Sequence, residues 1–132
     1  MKGVDTTFLI DLLRNDPQAV EKGNELDSYP VVYASEASVF EVVTSVFAKA
    51  ENMERALHDA ERLFHQLRVL PVDHASAVYA GRISGLLMRK GLVIDPVDCL
   101  IAGSLLAQGC TTIVTRNVKH FNRIPGLNVE RY

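Results

Sequence analysis

The stretch Gly3-Val4-Asp5-Thr6-Thr7-Phe8-Leu9-Ile10-Asp11-Leu12-Leu13 holds a strand, a cap and a helix in succession. A short apolar run ends at Val4, and Asp5-Thr6-Thr7 supplies capping side chains. Phe8, Leu9, Leu12 and Leu13 then return at helical spacing. The same grammar recurs along the chain. Asp16-Pro17 opens a second helix, with proline at its first position. Pro30 to Tyr33 reads as a buried strand, followed by the cap-rich Ala34 to Ser38 and a helix face of Val39, Val42, Val43, Val46 and Phe47. Met53, Leu57, Ala60, Phe64 and Leu67 mark another helix. Val69 to Val72 is a strand, and a helix from His74 to Lys90 stops at Gly91. Asp95-Pro96-Val97-Asp98 opens a helix carrying Leu100, Ile101, Leu105 and Leu106, which ends at Gly109. Thr111 to Thr115 is a strand, Asn117 to Phe121 a short turn or helix, and Leu127 to Val129 a last strand. Short apolar strands alternating with helices predict an α/β fold with a mostly parallel central sheet. Right-handed crossovers place helices on both faces, giving a three-layer α/β/α sandwich.

The length of 132 residues fits one domain over residues 1–132, and no linker or repeat interrupts it. With 48% hydrophobic and 23% charged residues, the composition excludes disordered and disulfide-scaffold classes. Fourteen Lys and Arg against sixteen Asp and Glu give a net charge of −2, which excludes nucleic-acid binding by global charge but not by a local patch. No apolar run approaches the roughly 18 residues of a membrane span. Asp5 and Asp11 interrupt the only early apolar stretch, so no leader is read and a cytoplasmic location is expected. Cys99 and Cys110 are read as small buried hydrophobes, without partners for a zinc site.

In parallel α/β sheets, ligands bind beyond the carboxyl ends of the strands. Asp5 follows the first strand, Glu41 lies in the opening turn of the helix after the second, and Asp98 opens the helix before the fourth. Asn117 stands two residues past the fourth strand. Three carboxylates gathered there would repel one another unless a cation neutralised them. Oxygen ligands favour Mg²⁺ or Mn²⁺, and such a site suits phosphodiester hydrolysis by polarising a phosphoryl oxygen and acidifying water. Each acid also has a plain structural reading. Ser38 and Glu41 stand at capping-box spacing, Asp95 and Asp98 fit a helix start, and Asp5 is a potential N-cap.

Val4 to Arg14 resembles the opening of PIN-domain ribonucleases, in particular the VapC toxins of prokaryotic toxin–antitoxin pairs. Asp98-Cys99-Leu100-Ile101-Ala102-Gly103-Ser104 is similar to the family's D-x-L-I-A segment, and Ile113 to Phe121 to its V-T-R-N-x-x-x-F segment, continued by Ile124-Pro125-Gly126-Leu127. Glu41 occupies the place of the family's second acid. The resemblance spans nearly the whole chain. It implies a PIN-like fold and a Mg²⁺- or Mn²⁺-dependent endoribonuclease with Asp5, Glu41 and Asp98 as metal ligands and Asn117 completing the site. It also implies products with 5′-phosphate and 3′-hydroxyl ends, a cognate antitoxin that covers an apolar groove near the site, and a homodimer. A fourth acid is common in the family at the place of Asn117 or His120, and this chain has a carboxylate at neither.

Thr7, Thr115, Arg116 and Lys119 are read as the RNA-contacting set beside the acids, Thr7 orienting either Asp5 or a phosphate, and Arg116 and Lys119 either offsetting backbone charge or forming an ordinary solvated turn. Arg123 belongs to the same basic cluster. Asp95 is a second-layer acid or simply a cap, and His120 is read as structural. Two other readings remain. One is a PIN-like module that binds RNA or protein with weak or no catalysis, motivated by the missing fourth acid. The other is a signalling receiver domain. It would need a lysine directly after Val114-Thr115 and an acid pair after the first strand, and this sequence has neither.

Overall fold

Each strand is three or four residues long, and the first two hand over at once to a helix capped by a side chain. The computed structural model describes residues 1–132. In chain order the elements are β1 (Lys2–Val4), α1 (Thr6–Leu13), α2 (Pro17–Leu26), β2 (Val32–Ser35), α3 (Glu36–Lys49) and α4 (Met53–His65). They continue with β3 (Arg68–Leu70), α5 (His74–Arg89), α6 (Pro96–Ala107), β4 (Thr112–Val114), α7 (Val118–Phe121) and β5 (Asn128–Glu130). Asp5, Asp16, Ser35, Asn52, Asp73 and Asp95 each accept a backbone N–H in the first turn of the helix that follows. Each such cap satisfies an otherwise orphaned donor and is worth about 1 kcal/mol.

One local expectation fails. The capping box of Ser38 with Glu41 does not form, because α3 begins earlier, at Glu36. Ala34 and Ser35 pair with Val69 and Leu70, which keeps the chain extended as far as Ser35. The Ser35 hydroxyl then accepts the Ala37 N–H at 3.1 Å. Ser38 lies inside the helix, fully buried, and its hydroxyl has no partner. Glu41 thus sits in the second turn of α3, not the opening one, and capping does not explain it.

The strand order is β3-β2-β1-β4-β5, and every pair is parallel. The chain winds outward from β1 to β2 and β3, then returns to β1's other side for β4 and β5. Helices α1 to α4 cover one face and α5 to α7 the other. Successive strand residues point to opposite faces. Ala34 and Val114 therefore join Phe8, Leu9, Val42 and Phe64 in one core, whereas Tyr33 and Ile113 join Leu87, Ile101, Leu105 and Phe121 in the other. Each fully buried large side chain contributes roughly 1.5–3 kcal/mol. Cys99 and Cys110 are buried and free. Helices α5 and α6 touch along their backbones: a Cβ on Gly103 would stand 2.6 Å from the Ser76 carbonyl oxygen and 2.8 Å from the Ala80 nitrogen. No helix is long and apolar enough to cross a membrane.

The sheet is also closed by charge. Lys22 of α2 is 9% exposed, and its ammonium reaches Glu25 at 3.1 Å and Glu130 of β5. Lys2 of β1 pairs with the same Glu130 at 2.8 Å. Removing one member of such a cluster strands a poorly solvated charge. Glu130→Gln is expected to lower stability by about 1–2 kcal/mol, the smaller range reflecting Glu130's partial exposure. Urea denaturation measures it, and a midpoint equal to wild type would mean that the cluster is energetically idle.

Candidate active site

The order of strands reverses at β1, so the loops after β1 and β4 diverge there and open a crevice. Asp5 leaves β1 into that crevice and Thr115 leaves β4 beside it. Asp5 is 2% exposed. Its Oδ1 accepts the Phe8 N–H at 3.1 Å and the Thr7 hydroxyl at 2.7 Å, while Oδ2 accepts the Thr115 hydroxyl at 2.6 Å. Asp5 is thus both a helix cap and a buried acid. Burial pushes its carboxyl up from 3.8 to about 6, against the pull of these hydrogen bonds, and the nearby charge of Asp98 pushes the same way.

Glu41 approaches from α3, and its Oε1 accepts the Thr6 hydroxyl at 2.5 Å. Burial raises its pKa, and the charges of Asp98 and Asp95 add to the rise. Asp98, in the first turn of α6, accepts the Asn117 side-chain amide at 3.2 Å, and His120 Nδ1 lies at 3.2 Å. Burial raises the Asp98 pKa, His120 opposes this, and Asp95 reinforces it. Asn117 and His120 Nδ1 are 3.0 Å apart. A protonated Nδ1 donates to Asp98, whereas a bare Nδ1 accepts from Asn117.

The three expected acids thus share one neighbourhood, where Asp98's charge is felt by both Asp5 and Glu41. No lysine or arginine pairs with any of the three. Hard oxygen donors, two of them pushed up by the charge of the third, suit a divalent cation of the Mg²⁺ type. The side chains are not drawn into a ready-made chelate: no three His, Cys, Asp or Glu groups converge closely enough to ligate one ion. Asp5 is turned toward its hydroxyl partners and Glu41 toward Thr6. The donor set fits Mg²⁺, which commonly keeps several waters and takes only one or two carboxylates.

The expected contact residues divide. Thr7 and Thr115 hold Asp5 directly. Lys119 is exposed on α7. Arg116 is half-exposed but engaged within the protein, with Nε 3.1 Å from Asp11 and Nη2 3.4 Å from Asp16. Asp95 is the N-cap of α6, accepting the Val97 N–H at 2.8 Å, and it acts on the site only through its charge. Sequence reasoning missed Thr6, Asp11 and Tyr132, and it gave His120 no chemistry. His120 had a local signal, since it is one helical step from Asn117; the others had none.

The raised Asp5 pKa makes stability depend on pH. The unfolded carboxyl loses its proton near 3.8, the folded one near 6. Between these values the native state binds the extra proton, so Asp5 favours folding in acid and this contribution declines as pH climbs through the window. In metal-free protein, the fall in urea midpoint between pH 4 and pH 7 is expected to shrink in Asp5→Asn. Identical pH profiles for the two proteins would contradict it.

Fold and site together define a doubly wound α/β/α domain with an acidic crevice at its switch point. A family model described as PIN domain matches residues 3–127, and the chain belongs to that family. It is 31% identical over 96% of its length to a tRNA(fMet)-specific endonuclease VapC from Salmonella typhimurium, covering 94% of that protein. The fold is similar to that in the crystal structure of DNA-bound VapBC from Salmonella typhimurium, with a TM-score of 0.86, 29% identity, and coverage of 98% of this chain and 96% of that one. It is also similar in fold to VapBC2 from Rickettsia felis bound to a promoter fragment, with a TM-score of 0.87, 23% identity, and coverage of 99% and 98%.

Proposed function

We propose that this chain is a divalent-metal-dependent endoribonuclease, the toxin of a VapBC-type toxin–antitoxin pair acting in the cytoplasm. The observation that carries the reading is the gathering of Asp5, Glu41 and Asp98 at the switch point with no lysine or arginine paired to them. Family membership and the names of the relatives support the same reading.

Asp5, Glu41 and Asp98 would hold Mg²⁺ or Mn²⁺. When bound, the ion supplies Lewis-acid polarisation of a phosphoryl oxygen and charge for the leaving oxygen. The protein's own groups do the rest. Thr7 and Thr115 fix the orientation of Asp5, Thr6 does so for Glu41, and Asn117 for Asp98. Lys119 is free to meet the RNA backbone. The Salmonella relative's name makes tRNA(fMet) the first substrate to assay. A groove of about 400 Å³ between α1, α2 and α4, lined by Phe8, Leu12, Leu13, Val20, Leu63 and Leu67, suits an apolar antitoxin segment. Val78, Leu86 and Met88 stay exposed along α5, which supports a homodimer.

The protein freed of antitoxin is expected to cut RNA in Mg²⁺ or Mn²⁺, to lose activity in EDTA and to regain it when metal is restored. Gel analysis of end-labelled tRNA measures this. Failure to cut with any divalent ion would overturn the enzyme reading and favour the non-cleaving binding module, which the Asn117 and His120 positions motivate.

A further inference from the structure

The loop Thr115-Arg116-Asn117 between β4 and α7 holds two groups that touch the acids. Thr115 donates to Asp5, and Asn117 donates to Asp98. A loop stays in one arrangement only where something ties it down. Arg116, between the two, supplies several ties. Its backbone N–H donates to the Thr7 hydroxyl at 3.1 Å. Its guanidinium bridges Asp11 of α1 and Asp16 of the α1–α2 turn. The same guanidinium lies 5.3 Å from the centre of the Tyr132 ring. Tyr132 is itself fixed, because its hydroxyl donates to Asp11 at 2.5 Å and its ring meets the buried Phe8 edge-on at 5.1 Å. Arg116 therefore closes a circuit through α1, the turn after it and the residues beyond β5.

An arginine beside an acidic site invites the reading of a phosphate clamp. A clamp needs free positive charge, and here two carboxylates already face one guanidinium, leaving the trio net negative. A phosphate would have to displace one of them. A planar fork stacked on an aromatic ring and bridging two acids is a geometry that lysine cannot copy. We infer that Arg116 is a positioning residue, which with Asp11, Asp16 and Tyr132 pins the 115–117 loop so that Thr115 and Asn117 face Asp5 and Asp98. The kinetic part of this inference rests on the ribonuclease reading; the structural part does not.

The test compares wild type with Arg116→Ala, Arg116→Lys and Tyr132→Phe. It measures tRNA cleavage at several salt concentrations and, in metal-free protein, amide exchange at Asn117, whose N–H donates to the Thr115 hydroxyl at 2.8 Å. Displacing groups around a reacting centre reduces turnover more than binding. Both Arg116 variants are expected to lower kcat about tenfold and leave KM and its salt slope near wild type. Asn117 exchange should rise about tenfold in both. Tyr132→Phe should show a smaller loss, and adding it to Arg116→Ala should cost nothing further, because both act through one network. A raised KM, a salt slope reduced by about one and recovery in Arg116→Lys would mark a phosphate contact and overturn the inference. Unchanged Asn117 exchange would overturn it as well, whether or not any variant cuts RNA. Absence of cleavage by the wild type counts against the ribonuclease reading alone.

Discussion

Asp98→Asn is expected to reduce RNA cleavage roughly a thousandfold, a barrier increase of about 4 kcal/mol. The change removes the acid whose charge reaches both other carboxylates. Asparagine keeps the shape and one acceptor oxygen for the Asn117 and His120 contacts, so the loop loses little. Loss of a negative charge in the first turn of α6 costs about 0.3–1 kcal/mol of helix-dipole interaction. Relief of repulsion from Asp95 acts in the other direction. Metal-free stability at pH 7 should therefore stay within about 1 kcal/mol of wild type. Stabilisation by added Mg²⁺, seen as a rise in melting temperature, should weaken. A folded Asp98→Asn protein that cuts RNA at the wild-type rate would remove Asp98 from the catalytic set.

The second large effect lies far from chemistry. Gly103→Leu is expected to destabilise the protein by about 3 kcal/mol and lower its melting temperature by roughly 10 °C. Helix propensity argues the opposite way, since most residues are favoured over glycine in a helix by about 0.5–1 kcal/mol. Packing wins because the new Cβ would meet backbone, the Ser76 carbonyl and the Ala80 nitrogen, neither of which can rotate aside. The α5 and α6 axes would have to separate, loosening Ile83, Leu87, Ile101 and Leu105 together. Gly103→Ala should show the same sign at smaller size. A calorimetric scan decides it, and a melting temperature at or above wild type would show that the two helices separate at little cost.

Much of this was legible in the sequence because the signals are local. Caps, prolines and glycines bracket the helices, and Asp5, Asp98 and Asn117 stand within a few residues of a strand end or a helix start. The misreading of Ser38 and Glu41 came from a segment with two serines able to cap. Pairing of Ala34 and Ser35 with β3 decided between them, and a partner strand over thirty residues away leaves no local trace. The bond from Thr6 to Glu41 joins positions 35 apart, and that from Tyr132 to Asp11 joins positions 121 apart. Periodicity carries no information at such separations. Nothing local marks Lys22 for burial, because Glu130, which joins Glu25 in neutralising it, lies 108 residues further on.

Because β1 lies in the middle of the sheet, it waits for β4, a strand made more than a hundred residues later. Asp5 gains its Thr115 partner only after a further 110 residues have been made. A contact spanning so much chain forms late. On the function proposed above, a growing chain that already carries Asp5 cannot assemble a working centre until the 115–117 loop has been made as well.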